Sequence, residues 1–138
     1  MNILPDLPTT SDWIERTLEL ATPCLVVDFG RARRNVDKLA AYAAGHKLGV
    51  RPHTKTHKSK ALAALQIEAG AVGLTAAKVG EAERMAEVHR DILVAYPAFD
   101  PYRAPRLARL ARNATVRVAV AFRARRASRG ARCGSKAG

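Results

Sequence analysis

The densest run of chemically capable side chains is Val50-Arg51-Pro52-His53-Thr54-Lys55-Thr56-His57-Lys58-Ser59-Lys60. Four cations (Arg51, Lys55, Lys58, Lys60) and two imidazoles (His53, His57) crowd there, with no carboxylate between Asp37 and Glu68. A lysine held among other cations gives up its proton more readily than an isolated one, and a free amine is a nucleophile toward a carbonyl carbon. Schiff-base chemistry is one reading of the block. A solvated basic loop is the other, and a run of cations by itself favours it. His53 and His57 also form H-x3-H. That spacing holds zinc on a helix, but here it straddles a strand end with no third ligand nearby, so no metal site is assigned.

What must position this block is an alternation of strands and helices. Leu25–Val27 reads as a short strand ahead of Asp28. Val36, Leu39, Ala40 and Ala43 recur at i, i+3, i+4, i+7, one face of an amphipathic helix that stops at Gly45. Leu48–Arg51 is a second strand, and the reactive block begins at its end. Ser59 is placed to cap a helix carrying Leu62, Leu65, Gln66 and Ala69, closed by Gly70. Val72–Thr75 follows as a strand, then a helix marked by Val79, Ala82, Met85, Ala86 and His89, then a strand over Ile92–Tyr96. Asp100 and Pro101 suit the start of a helix with Ala104, Leu107, Leu110 and Ala111, and Thr115–Val120 is a fifth strand. Strands recur about every 20 to 25 residues with helices between, which predicts a parallel sheet with helical crossovers. An open doubly wound sheet and a (β/α) barrel both satisfy that pattern, and in both the ligand site lies at the carboxyl ends of the strands. A full barrel takes about 250 residues, so this chain of 138 holds at most half of one.

Composition narrows the function classes. The chain is 48% hydrophobic and 26% charged, ordinary for a globular protein, and no apolar run is long enough to span a membrane. Met1–Trp13 lacks the cationic and apolar regions of a secretory signal. The two cysteines lack metal-site or disulfide-framework spacing; Cys24 reads as a buried small hydrophobe and Cys133 as an exposed thiol, in a reducing, cytoplasmic setting. The formal net charge is +12, but its location matters. Residues 1–102 are nearly balanced, with 13 Lys/Arg against 12 Asp/Glu, while residues 103–138 hold 11 Lys/Arg and no acid. The stretch from Phe122 to Gly138 is Arg/Ala/Gly-rich and has no hydrophobic periodicity. The chain thus divides into an N-terminal segment (1–20), a patterned α/β region (21–121) and an irregular tail (122–138).

Four blocks in this order resemble a known family: TPCLVVD (Thr22–Asp28), RPHTKTHK (Arg51–Lys58), AGAVGLTAAKVGEAE (Ala69–Glu83) and ILVAYP (Ile92–Pro97). They look like the N-terminal part of the D-threonine aldolase and D-serine dehydratase-like enzymes, within the alanine racemase-like, fold-type III group of pyridoxal-phosphate enzymes. The resemblance spans about residues 20–120. It implies a partial (β/α) barrel, the N-terminal portion of an alanine racemase-like barrel, in which the TPCLVVD strand pairs with a later β-domain. It implies a lyase acting on small D-amino acids, cleaving a D-β-hydroxy amino acid or dehydrating D-serine. It also implies that Lys55 forms the Schiff base with pyridoxal 5′-phosphate. His53 and His57 would then flank the lysine as pocket residues, Arg51 would stabilise cofactor or substrate anions unless it is a plain surface cation, and Thr75 and Tyr96, at neighbouring strand ends, would line the pocket unless they are ordinary strand residues.

Family members are far longer. The distal barrel half, the phosphate-binding loops, the β-domain and the divalent-metal ligands of the family are not placed on this sequence. A truncation with a frameshifted tail accounts for the change after Val120, since Arg, Ala and Gly are what GC-rich codons supply in an unintended frame. Half a barrel leaves strand edges unpaired, so marginal stability and homo-oligomers formed through the open edge are expected. The competing function is a basic tail on a partial α/β domain that binds nucleic acid or anionic lipid. The tail carries no aromatic interleaving and no nucleic-acid motif, so neither a specific nucleic acid nor a membrane is expected as partner.

Overall fold

The computed structural model describes residues 20–98 and 100–120. The expectations for Trp13, for the segment up to residue 19 and for the tail from Phe122, with Cys133, lie outside them. In chain order the described elements are α1 (Phe29–Gly45), α2 (Lys60–Glu68), β1 (Leu74–Ala76), α3 (Val79–Met85), β2 (Asp91–Val94), α4 (Arg103–Leu110) and β3 (Thr115–Val118).

Local chemistry sets the helix ends. The Asp28 carboxylate accepts the Arg31 N–H at 2.8 Å and opens α1. The Ser59 hydroxyl accepts the Leu62 N–H and opens α2, and Gly70, at φ +99°, turns the chain out of it. Glu81 reaches back from the first turn of α3 to the Ala77 N–H at 3.0 Å. Asp100 accepts the N–H groups of Tyr102 and Arg103 just ahead of α4.

The three strands are parallel and ordered β1-β2-β3, with Leu74 opposite Ile92 and Ile92 opposite Val116. Because side chains alternate along a strand, Leu74, Ala76, Ile92, Val94, Val116 and Val118 share one face. That face is the core. Ala63 of α2, Val79, Ala82 and Met85 of α3 and Leu107 of α4 pack on it. Leu74, Ile92 and Met85 are almost completely buried, and each contributes roughly 1.5–3 kcal/mol relative to exposure. Gly73, Thr75, Asp91, Leu93 and Arg117 belong to the opposite face.

Several expected elements change on folding. Leu48–Arg51 forms no strand. Its continuation lies alongside β1, with the Val72 N–H bonded to the Val50 carbonyl at 2.9 Å and a single parallel bridge between His53 and Thr75. Pro52 has no N–H to return a bond, so a continuous ladder cannot form. Leu25–Val27 is likewise not a strand, and Leu25 is 80% exposed, because no described strand lies beside it. For the same reason Cys24 is exposed rather than buried. The strand expected at Val72–Thr75 begins two residues later, after Gly73, and the helix at Val79 ends at Met85.

Gly73 sits where the Arg51 side chain crosses to β2. A Cβ there would collide with Arg51 Nη1 and lie 2.7 Å from the Asp91 carbonyl oxygen, which cannot swing away as a side chain could. Gly73→Ala is therefore expected to lower stability by about 1–3 kcal/mol in urea denaturation. Gly45→Ala, whose added methyl meets nothing within 4 Å in α1, is expected to raise it by roughly 0.5–1 kcal/mol.

Candidate active site at the carboxyl end of β1

The Arg51–Lys60 block runs along β1 and then turns at its carboxyl end. The Thr75 N–H donates to the Pro52 carbonyl, and the Thr75 carbonyl accepts the Thr54 N–H, both at 2.8 Å. This fixes His53 beside Thr75 and puts Lys55 just past the bridge. A turn follows, closed by the Lys58 N–H bonded to the Thr54 carbonyl at 2.8 Å, with Lys58 at φ +50°.

The four cations, uncompensated in sequence, meet very different surroundings in space. Arg51 donates twice to the Asp91 carboxylate, at 2.9 and 3.0 Å, and its guanidinium is largely shielded. Arg117 of β3 bonds the same carboxylate. Lys58 pairs with Glu81 at 3.5 Å and Lys60 with Glu87 at 2.7 Å. Lys55 is exposed, and among the described residues its Nζ has no acidic partner and no hydrogen bond.

The other expected site residues divide. His53 is half-buried, and its Nδ1 accepts the Lys55 N–H at 3.3 Å, which leaves the ring proton of the neutral imidazole on Nε2. Thr75 is buried, and its hydroxyl donates to the Arg51 carbonyl at 3.4 Å. His53, Lys55 and Thr75 thus come together. Arg51 does not join them: its guanidinium is drawn to Asp91, at the amino-terminal start of β2. Tyr96 lies two residues past the end of β2, beneath the Arg103 guanidinium, whose carbon is 5.7 Å from the ring centre. It lines a cavity of about 580 Å³ with Lys78, Glu81, Tyr102 and Arg106, and neither Lys55 nor His53 reaches that cavity.

His57 turns away from His53. Its Nδ1 accepts the Ser59 N–H at 3.0 Å, and burial pushes its pKa below the ordinary histidine value, opposed in part by the Gln66 side chain. Among the described residues no three His, Cys, Asp or Glu side chains are grouped to hold a metal ion. No described helix is long and apolar enough to cross a membrane. The residues that sequence reading missed are Thr54, Gly73, Asp91 and Arg117. Only the basic block itself hinted that acids from elsewhere must meet it.

No family model matches the chain. Over 105 residues it is 41% identical to a 3-hydroxy-D-aspartate aldolase of Paracoccus denitrificans, covering 74% of this chain and 27% of that protein. The crystal structure of D-threonine aldolase from Filomicrobium marinum superimposes with a TM-score of 0.69 at 34% identity, over 73% of this chain and 28% of that one. The D-threo-3-hydroxyaspartate dehydratase from Delftia sp. HT23 does so with a TM-score of 0.64 at 36% identity, over 72% and 26%. Over the matched residues this chain is a homologue of D-threonine aldolase, 3-hydroxy-D-aspartate aldolase and D-threo-3-hydroxyaspartate dehydratase. The chain spans about a quarter of the length of the relatives it matches.

Within the matched region Asp91 ties the block to the sheet, and the tie titrates. The Arg51 hydrogen bonds are the largest cause holding the Asp91 carboxyl below its ordinary value of 3.8; burial opposes them next, and the charges of Arg51 and Arg117 add to the lowering. A depressed folded-state pKa gives stability that is present above the unfolded value and lost as pH falls through the folded one. Urea midpoints of the parent should therefore fall as pH drops below about 4. Asp91→Asn should start from a lower midpoint at pH 6 and lose less on acidification. Equal losses in parent and variant would remove Asp91 from the acid limb.

Proposed function

We propose that residues 21–121 supply the lysine-bearing part of a (β/α) barrel, and that residues 1–20 and 122–138 are not part of that unit of the sequence. The described strands follow one another in chain order, and α2, α3 and α4 pack on one face, as successive units of a barrel do. One half of a doubly wound sheet shows the same pattern, and the likeness to D-threonine aldolase is what favours the barrel. The parent enzyme is a cytoplasmic, pyridoxal-phosphate-dependent lyase acting on small D-β-hydroxy amino acids.

Lys55 is the residue that would hold the cofactor. The observation that carries this is the distribution of acids around the block: Asp91, Glu81 and Glu87 take up Arg51, Lys58 and Lys60, and Lys55 alone is left without an acidic partner among the described residues. An amine that is to bond a carbonyl carbon must not be held as ammonium by a neighbouring carboxylate. The site's donor set fits the cofactor's aldehyde end. When bound, pyridoxal 5′-phosphate supplies an electron sink for charge developing at the substrate's α-carbon. His53 presents its Nε2–H beside the lysine, and Thr75 holds the backbone on which both sit. Arg51 serves as the strand tie, and Tyr96 belongs to the neighbouring cavity.

Productive turnover also needs an anchored phosphate, a tuned ring nitrogen and an activated leaving hydroxyl. In the family these come from parts outside the matched quarter, as does any divalent metal. This chain is therefore expected to take up the cofactor without lyase turnover. The test is incubation with pyridoxal 5′-phosphate, borohydride reduction and mass-spectrometric mapping. The expected label is at Lys55, with none of the product formation on D-threonine or D-serine that an intact enzyme gives. A preferred label at another lysine defeats the assignment, and robust turnover defeats the claim of incomplete catalysis.

The sheet edges carry a second expectation. Beyond β3 and beyond the 50–53 segment no described strand follows, and Leu48, Val72 and Val120 are at least half exposed. Unpaired edges with apolar neighbours invite pairing with another copy. Light scattering should show concentration-dependent assembly, and a monodisperse monomer up to high concentration would contradict it.

A further inference from the structure

We infer that Thr54 is the positioning residue for Lys55, an inference that rests on Lys55 being the cofactor lysine. Thr54 and Thr75 are the two buried polar residues among those described, and the Thr54 side chain bonds the Thr75 backbone. Thr54 is 1% exposed. Its N–H and its hydroxyl both donate to the same oxygen, the Thr75 carbonyl, at 2.8 and 3.0 Å. Its own carbonyl accepts the Lys58 N–H at 2.8 Å and closes the turn that carries Lys55. Every polar group of Thr54 is thereby used. One hydrogen bond alone would let the backbone at this point pivot about the donor–acceptor axis. The second, from the side chain, fixes χ1 and the peptide plane together, and so fixes the direction in which the next Cα–Cβ bond leaves. The next residue is Lys55, whose Nζ has no hydrogen bond or acidic partner among the described residues to aim it.

The hydroxyl and the methyl of Thr54 can be separated. Thr54→Val keeps the shape and removes the second donor. Thr54→Ser keeps the donor and removes the methyl. Two measurements are made on the full chain. The first is the share of the reduced pyridoxal-phosphate label that falls on Lys55 relative to Lys47 and Lys78. The second, without cofactor, is amide hydrogen exchange of the turn over residues 54–58. In Thr54→Val the Lys55 share should fall about fivefold, the scale of one lost hydrogen bond, and the Lys58 amide should exchange faster while β2 stays protected. Thr54→Ser should keep both the label and the protected turn, even where its urea midpoint is the lower of the two. A Thr54→Val protein that labels and exchanges like the parent overturns the inference. So does a label that simply follows stability across both variants. A parent that labels elsewhere than Lys55 overturns the functional reading instead, whatever the exchange shows. If Thr54→Val does not fold, Thr54→Ser against Thr54→Ala makes the same comparison, since both lack the methyl and differ only in the hydroxyl.

Discussion

Everything around the candidate site depends on the hydrogen bonds of one residue, Thr75. Its N–H goes to Pro52, its carbonyl takes both donors of Thr54, and its hydroxyl goes to Arg51. Pro52 prevents the segment from joining the sheet as an ordinary strand, so these few bonds do what a ladder would otherwise do. The two backbone bonds are short, at 2.8 Å, and all four converge on one buried residue. In a partly buried setting such bonds hold position better than they would in water, because breaking one strands a polar group.

Electrostatics adds a second tie at the other end of the segment. Arg51 passes over Gly73, where any side chain would obstruct it, and meets Asp91 in a two-bond contact that also draws in Arg117 of β3. A planar guanidinium facing a carboxylate is the geometry in which an ion pair is both strong and directional. The contact sits on the opposite face of the sheet from the hydrophobic core and joins the segment before β1 to both later strands. The block is thus clamped at Arg51 by charge and at Thr54 by hydrogen bonds, and Lys55 emerges just beyond the clamp.

The same arrangement explains why a strongly basic block need not behave as a solvated patch. Glu81 and Glu87, on and just after α3, and Asp91, at the start of β2, are brought to it by the packing of α3 and β2 beside β1. A net charge read along the sequence therefore misjudges the local field. What counts is which cation keeps an acid within reach after folding, and that selects one lysine of three.

Sequence alone determined much of this protein. The apolar spacing of Leu74, Ile92, Val94 and Val79, Ala82, Met85 specifies strand, helix and the parallel alternation. Asp28, Ser59 and Asp100 mark helix starts because their side chains satisfy N–H groups that a helix leaves free. The RPHTKTHK resemblance singled out Lys55. The tertiary structure decided what depends on partners far along the chain. It left Leu25–Val27 and Cys24 exposed, because a strand exists only where another offers its hydrogen bonds. It reduced Leu48–Arg51 to a single bridge, because Pro52 interrupts the ladder. It sent Arg51 to Asp91 and Tyr96 to a separate cavity, and it made Thr54 a buried anchor. The ties of Arg51 to Asp91 and of Thr54 to Thr75 cannot be read from local pattern, because they join residues 40 and 21 positions apart and only the fold sets those distances.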